Sequence, residues 1–254
     1  RGRGGQGRGL VGQPARTRAG LKPDKKGAGA LDQKRKMAVL GGPGDRGGGP
    51  ALRWARAGHE VVLGSRDAGR ASERAAALAE TAGGTISGMS NEDAAAWGEI
   101  VVLTVPYGNH AATVAAIRDR LDGKIVIDVT VPLVPPKVRT VQLPEGGSVA
   151  KNLQSELGEG VRVVSAFQNV AAAHLAELDH AIDCDVLVCG NDKDARETVV
   201  ALAEDGGMRA WHAGRIDNSA VAEALTSVLI FLNGTYKIAG AGIRITGAPM
   251  SAAG

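Results

Sequence analysis

Residues 37–48, MAVLGGPGDRGG, decide the fold. MAVLG is a short apolar strand, and Gly42-x-Gly44-x-x-Gly47 follows it at once. In a chain with 37 glycines that spacing alone is weak. Here it sits between a strand and a helix pattern inside a βαβ-length unit, the context in which it marks a dinucleotide-binding turn. Glycines allow the turn to tighten and let backbone N–H groups approach a pyrophosphate. The helix N-terminus adds a favourable dipole.

Outward from this turn, strand and helix patterns alternate. A helix is expected over 45–57, closed by Gly58. HEVVLGS is the second strand, and 67–82 is helical with Asp67 as its cap. TISGMS is the third strand, and Asn91 is a plausible cap for NEDAAAWG. EIVVLTVP, KIVIDVT and VRVVSAF are strands four to six, with helices over 109–121 and 148–157. Their unbroken apolar runs suit strands covered on both faces. Pro50 falls inside the first helix, where a kink or a late start is expected. The last third reads as a short helix at AAAHLAEL, a strand at CDVLVCG, a helix over 192–205, a strand at MRAWHAG and a long helix over 217–237. The fold class is α/β: a Rossmann-type doubly wound parallel sheet over 37–168, with a smaller C-terminal α/β region over 169–254. Strands of that region joining the main sheet is the alternative.

Residues 1–36 differ in kind. Of 30 Lys/Arg and 27 Asp/Glu, this segment holds 11 and 2, leaving 19 and 25 for the remainder. The net charge of +3 therefore hides an acidic globular part. The Gly/Arg-rich head lacks apolar periodicity and is expected to be a disordered N-terminal extension, or sequence upstream of a true start at Met37. Aromatic residues make up 3%, which argues against a single-stranded nucleic-acid platform, and no apolar run approaches a membrane span. No nucleic-acid or membrane partner is expected. Cys184 and Cys189 read as buried thiols of a cytoplasmic protein.

The second strand selects the coenzyme. It ends Gly64-Ser65-Arg66, with Arg70 one helical turn later. A carboxylate there would accept ribose hydroxyls and repel a 2′-phosphate. A hydroxyl and two guanidinium groups favour that phosphate, so the reading is NADP(H). The five histidines form no triad or metal spacing, and no metal site is expected. Only His110 follows the C-terminal end of a strand, where ligands of doubly wound folds bind.

The segments AVLGGPGDRGGGPALRWARAGHEVVLGSR, VVLTVPYGNH, VIDVTVPLVPPK, VVSAFQNV, DCDVLVCGND and ALTSVLIFLNGTYKIAGAGIRITG together resemble the NADPH:F420 oxidoreductases, across nearly all of 37–247. The resemblance implies reversible, direct hydride transfer between NADP(H) and the deazaflavin coenzyme F420, with no acid–base residue required. It implies that Gly42, Pro43, Gly44, Asp45, Arg46 and Gly47 cradle the pyrophosphate, and that Ser65, Arg66 and Arg70 hold the 2′-phosphate. Val105, Pro106, Tyr107 and His110 would line the dinucleotide path. Leu133, Val134, Gln168, Asn169, Ala172, Thr226, Ala241 and Gly242 would face F420. A homodimer with small-molecule coenzymes as ligands is implied. Three positions depart from the family pattern: Pro43, Pro50 and Asn233-Gly234, the last expected to interrupt the final helix. Alternative functions are an NADPH-dependent reductase of a flavin or ferric acceptor, and a non-enzymatic NADP(H) sensor.

Overall fold

A computed structural model describes residues 34–41 and 45–247. Residues 1–33 of the expected extension, and Gly42, Pro43 and Gly44 of the glycine turn, lie outside the described residues. Eight strands run β1 (Lys36–Leu40), β2 (Glu60–Ser65), β3 (Ile86–Ser90), β4 (Ile100–Leu103), β5 (Ile125–Asp128), β6 (Arg162–Ser165), β7 (Asp185–Gly190) and β8 (Arg209–His212). They form one sheet in the order β3-β2-β1-β4-β5-β6-β7-β8. Every neighbour is parallel except β6 and β7, which pair antiparallel through Val164–Gly190 and Ser165–Cys189. β7 and β8 thus extend the main sheet, the alternative left open by the sequence. Cys184 precedes β7, and both thiols are free and buried.

Alternation along β1 explains the two layers. Met37 and Val39 join one apolar cluster with Trp54, Leu63 and Ile127, whereas Ala38 and Leu40 join the other with Val62, Leu103 and Val126. Both faces are covered, so both sets are apolar. Helices supply the covers: α1 (Asp45–Arg56), α2 (Ala68–Ala82), α3 (Asn91–Trp97), α4 (Tyr107–Ile117), α5 (Val149–Leu157), α6 (Ala172–Ala176), α7 (Lys193–Asp205) and α8 (Ser219–Tyr236).

Local chemistry sets most helix ends. Asp67 accepts from the Arg70 N–H and caps α2, and Gly83 closes it at φ 65°. α3 is capped by Ser90, not Asn91: the Ser90 hydroxyl accepts from the Asp93 N–H, and Asn91 is drawn into the helix and buried. Pro50 lies inside α1, which begins at Asp45 rather than late. α8 runs unbroken through Asn233-Gly234, so the expected interruption does not occur.

One buried cation fastens the far side. Arg53 on α1 donates to the carbonyls of His174, Leu175, Glu177, His180 and Gly206. The carbonyls compensate for burying a guanidinium that burial makes less willing to stay charged. Nearby, Trp54 donates to the Leu202 carbonyl and meets Phe167 edge-on at 5.8 Å between ring centroids.

Candidate active site

The chain leaves β1 toward β2 and β3 on one side, then returns to place β4 on the other side of β1. That reversal is a topological switch point, and ligands of open α/β sheets bind outside the strand ends there. The backbone approaches closely at this point. Gly41 has φ 85°, and a Cβ on it would lie 2.9 Å from Val105 Cγ1 and 3.1 Å from Val105 N. Thr104 donates to the Leu40 carbonyl through both its N–H and its hydroxyl, pinning β4 to β1 just before Val105. Gly47 is buried in the first turns of α1, whose backbone begins at Asp45 and Arg46.

At the end of β2, Ser65 accepts from the Asp67 N–H. Arg66 and Arg70 are exposed, and neither pairs with a carboxylate among the described residues. Asp67, the acid closest in sequence, is engaged as a helix cap. The corner offers hydroxyl and guanidinium donors, and its nearby carboxylate is turned to capping, which fits a phosphate on the adenosine ribose.

Beyond β4, Pro106 starts α4, Tyr107 is half-buried, and His110 is buried. His110 Nε2 lies 2.9 Å from Oδ2 of the fully buried Asp128 at the end of β5. Burial opposes a charge on the imidazole, but the Asp128 carboxylate outweighs it, and the pKa lies above the ordinary histidine value. The other Asp128 oxygen accepts from the Thr130 N–H.

This carboxylate belongs to a chain of contacts that reaches the C-terminal third. Gln168 donates to the Asp128 carbonyl and to the Ser165 hydroxyl, both at 2.8 Å. The Thr226 hydroxyl donates to the Gln168 carbonyl at 2.9 Å. Asn169 donates to the Asp185 carbonyl and to the Cys184 sulfur. Gly242 packs on Cys184, where an added Cβ would come within 2.7 Å. The Ala241 N–H donates to Asn233 Oδ1 on α8. Gln168, Asn169, Thr226, Ala241 and Gly242 are therefore brought together, and Ala172 opens α6 beside them. Leu133 and Val134 lie on the loop after β5, where the Leu133 N–H donates to the Val131 carbonyl and Gln142 donates to the Val134 and Lys137 carbonyls.

Several buried polar atoms here have no partner among the described residues: Thr130 Oγ1, Gln168 Oε1 and Asn169 Oδ1. Unpaired buried polar atoms are costly, and their concentration at strand ends marks a place where a polar ligand can supply bonds. Together with the close backbone approach at Gly41, they fit two flat, polar coenzymes meeting at the switch point.

Two contributors escape sequence reasoning. Asp128 reads as one more strand residue, although an acid ending an apolar run is the signal that points to it. Asp185 holds the glycine-rich tail: it accepts from the Ile245 N–H at 2.7 Å and from Trp211 and Arg209, while its own N–H donates to the Ile243 carbonyl. Burial would raise its pKa, but these donors, Arg209 foremost, hold it below the ordinary value.

Comparison with known proteins converges on the same pair of coenzymes. The family model described as NADP oxidoreductase coenzyme F420-dependent matches residues 36–132. The F420-dependent NADP reductase of Methanothermobacter thermautotrophicus is 42% identical over 222 residues, covering 84% of this chain and 96% of that protein. Its namesake in Methanocaldococcus jannaschii is 43% identical over 220 residues, covering 83% and 98%. Among solved structures, an Arthrobacter sp. FB24 protein assigned as an F420-dependent NADP-reductase aligns with a TM-score of 0.70 at 26% identity, over 84% of this chain and all of that one. On identity and coverage of this order, the chain belongs to the family of F420-dependent NADP reductases.

Proposed function

We propose that the protein transfers hydride reversibly between NADP(H) and coenzyme F420. The observation that carries this reading is the continuity from the switch point to α8: Asp128 beside His110 bonds Gln168, Gln168 bonds Thr226 on α8, and Asn233, two turns further along that helix, bonds Ala241. Ser65, Arg66 and Arg70 hold the 2′-phosphate, and the glycine turn from Gly42 to Gly47 takes the pyrophosphate. Val105, Pro106, Tyr107 and His110 line the dinucleotide. Leu133, Val134, Gln168, Asn169, Ala172, Thr226, Ala241 and Gly242 line the deazaflavin.

The two bound rings supply the hydride donor and acceptor carbons. The protein aligns them, since productive hydride transfer needs the reacting atoms held at roughly 3–3.5 Å. Asp128 holds the His110 ring in place at the C-terminal end of the sheet, and Thr226 fixes the Gln168 backbone. Residues 37–168 form the NADP half, and 169–254 complete the F420 side.

The subunit is read as half of a homodimer. α8 has one charged residue, Glu223, and it is buried. Val221, Val228 and Phe231 are 62%, 44% and 48% exposed along one face. A charge-free helical face of this kind favours a second copy of the chain as its cover. Two free, buried thiols favour a cytoplasmic setting.

The test is spectroscopic. Purified protein mixed with NADPH and F420 should bleach the visible deazaflavin band, while FMN and ferric chelates react poorly. Tight binding of both coenzymes without oxidation of NADPH would leave a sensor in place of an enzyme. Faster reaction with FMN or ferric chelate would replace the acceptor.

A further inference from the structure

One feature of α8 plays no part in holding the rings. Residue 234 is glycine within a helix, where glycine is disfavoured. A Cβ there would come 2.6 Å from Nη2, 2.7 Å from Cζ and 3.0 Å from Nη1 of Arg139. The guanidinium from the loop after β5 therefore lies flat on the helix backbone. Gly234 lies three turns along α8 in line with Glu223, the carboxylate bonded to α5. Val221, Val228 and Phe231 form the exposed apolar face, and Phe231, one turn before Gly234, borders it. One turn beyond Gly234, the exposed Lys237 ends the helix at φ 57°.

Charge is segregated around this spot. Residues 129–144 and 224–247 contain Lys137, Arg139, Lys237 and Arg244 and no Asp or Glu. The chain from 37 onward has an acidic excess, so this positive stretch runs against the background. Arg244 is engaged with Asp183. Arg139 and Lys237 pair with no carboxylate among the described residues. Gly234 lies eight residues beyond Thr226, about 12 Å along the helix axis at a rise of roughly 1.5 Å per residue.

We propose that Arg139 and Lys237 form a cationic rim that receives the anionic side chain of the deazaflavin coenzyme, its phosphodiester first and its glutamates beyond. The inference rests on the hydride-transfer reading above. A ring seated between Gln168, Thr226 and Ala241 sends its side chain outward along α8. An unpaired guanidinium fork matches a phosphate with two parallel bonds. Glycine at 234 is what lets that fork lie against the helix. The phosphates of NADP(H) are the other source of the same chemistry, and they are assigned to the opposite side of the switch point.

The experiment measures dissociation constants with the full chain, by quenching of deazaflavin fluorescence at low and high salt. The ligands are F420, its form without glutamates, and the deazaflavin lacking the whole phosphorylated side chain; NADPH is measured in parallel. The native protein should bind both phosphorylated forms more tightly than the side-chain-free deazaflavin, and salt should narrow the gap. Arg139→Ala with Lys237→Ala should weaken F420 by about 3- to 30-fold, as expected for two solvent-exposed charge contacts. Affinity for NADPH and for the side-chain-free deazaflavin should stay unchanged. Gly234→Ala should displace the guanidinium and weaken F420 selectively, with the melting temperature held or raised. Equal native affinity for F420 and the side-chain-free form would overturn the rim. So would a loss in the double variant that falls on NADPH. If the native protein binds NADPH but neither deazaflavin, the hydride-transfer reading falls, and the rim with it.

Discussion

At Arg66 and Arg70, the choice of dinucleotide comes down to two guanidinium groups and the absence of a competing acid. Asp67 is close in sequence but serves as the cap of α2, so it does not restore the carboxylate that would favour a bare ribose. Replacing both arginines by alanine should weaken NADPH binding by about 2–4 kcal/mol, from charge-assisted bonds of roughly 1.5–3 kcal/mol each with some overlap. NADH binding should barely change, and titration calorimetry with both coenzymes checks it. Sequence alone exposes this corner because strand end, hydroxyl and two arginines are adjacent in the chain. It does not expose Asp128 as the partner of His110. Those residues lie 18 apart and meet only because β4 and β5 are neighbours and α4 starts above both.

Helices α5 and α8 meet through one buried carboxylate. Glu223 accepts from the Val149 N–H and the Ser148 hydroxyl, each at 2.8 Å, and from the Ala150 N–H at 3.2 Å. The Ser148 hydroxyl also meets that of Ser219. Burial pushes Glu223 up from 4.5 to about 7, against the donors at the α5 N-terminus, with Asp128 adding repulsion. A carboxyl whose folded pKa is raised favours the fold at low pH, and that contribution is lost as pH climbs from 4.5 to about 7. Denaturant titrations should show stability falling by about 3 kcal/mol across that window on account of this group. Glu223→Gln should flatten most of that slope, leaving what Glu204 loses above 4.5 and what His110 loses above its ordinary value. An unchanged slope would mean that Glu223 titrates alike in the folded and unfolded chain. The sequence hides this link as well. Ser148, read from sequence as the first residue of the helix, caps α5 instead, and its second role depends on a helix more than seventy residues away. Asn233 and Gly234 read locally as helix breakers. In the fold one binds the tail and the other admits Arg139, so tertiary contacts override propensity.

At the scale of the whole molecule, the unbroken apolar runs of β1, β2, β4, β5 and β6 mark strands covered on both faces, whereas β3, ISGMS, is legible only from its place in the alternation. The runs leave the placement of β7 open, since direction carries no signature in composition. The pairing of Val164 with Gly190 and of Ser165 with Cys189 fixes it as antiparallel. The exposed α8 face makes a claim at the same scale. Val228→Asp with Phe231→Asp should shift the protein from dimer to monomer in sedimentation velocity, while near-ultraviolet circular dichroism remains native. A native chain that sediments as a monomer at every concentration would remove the dimer.

Direct passage of hydride between the two rings is the central claim, and isotope transfer tests it most directly. NADPH carrying deuterium at each C4 position in turn should be oxidised with F420 in ordinary water, and the reduced deazaflavin analysed by mass spectrometry. One of the two labels should appear in the reduced deazaflavin in full, because a ring-to-ring transfer never exposes the hydride to solvent. Loss of both labels to water, or oxidation of NADPH with no label reaching the deazaflavin, would contradict it.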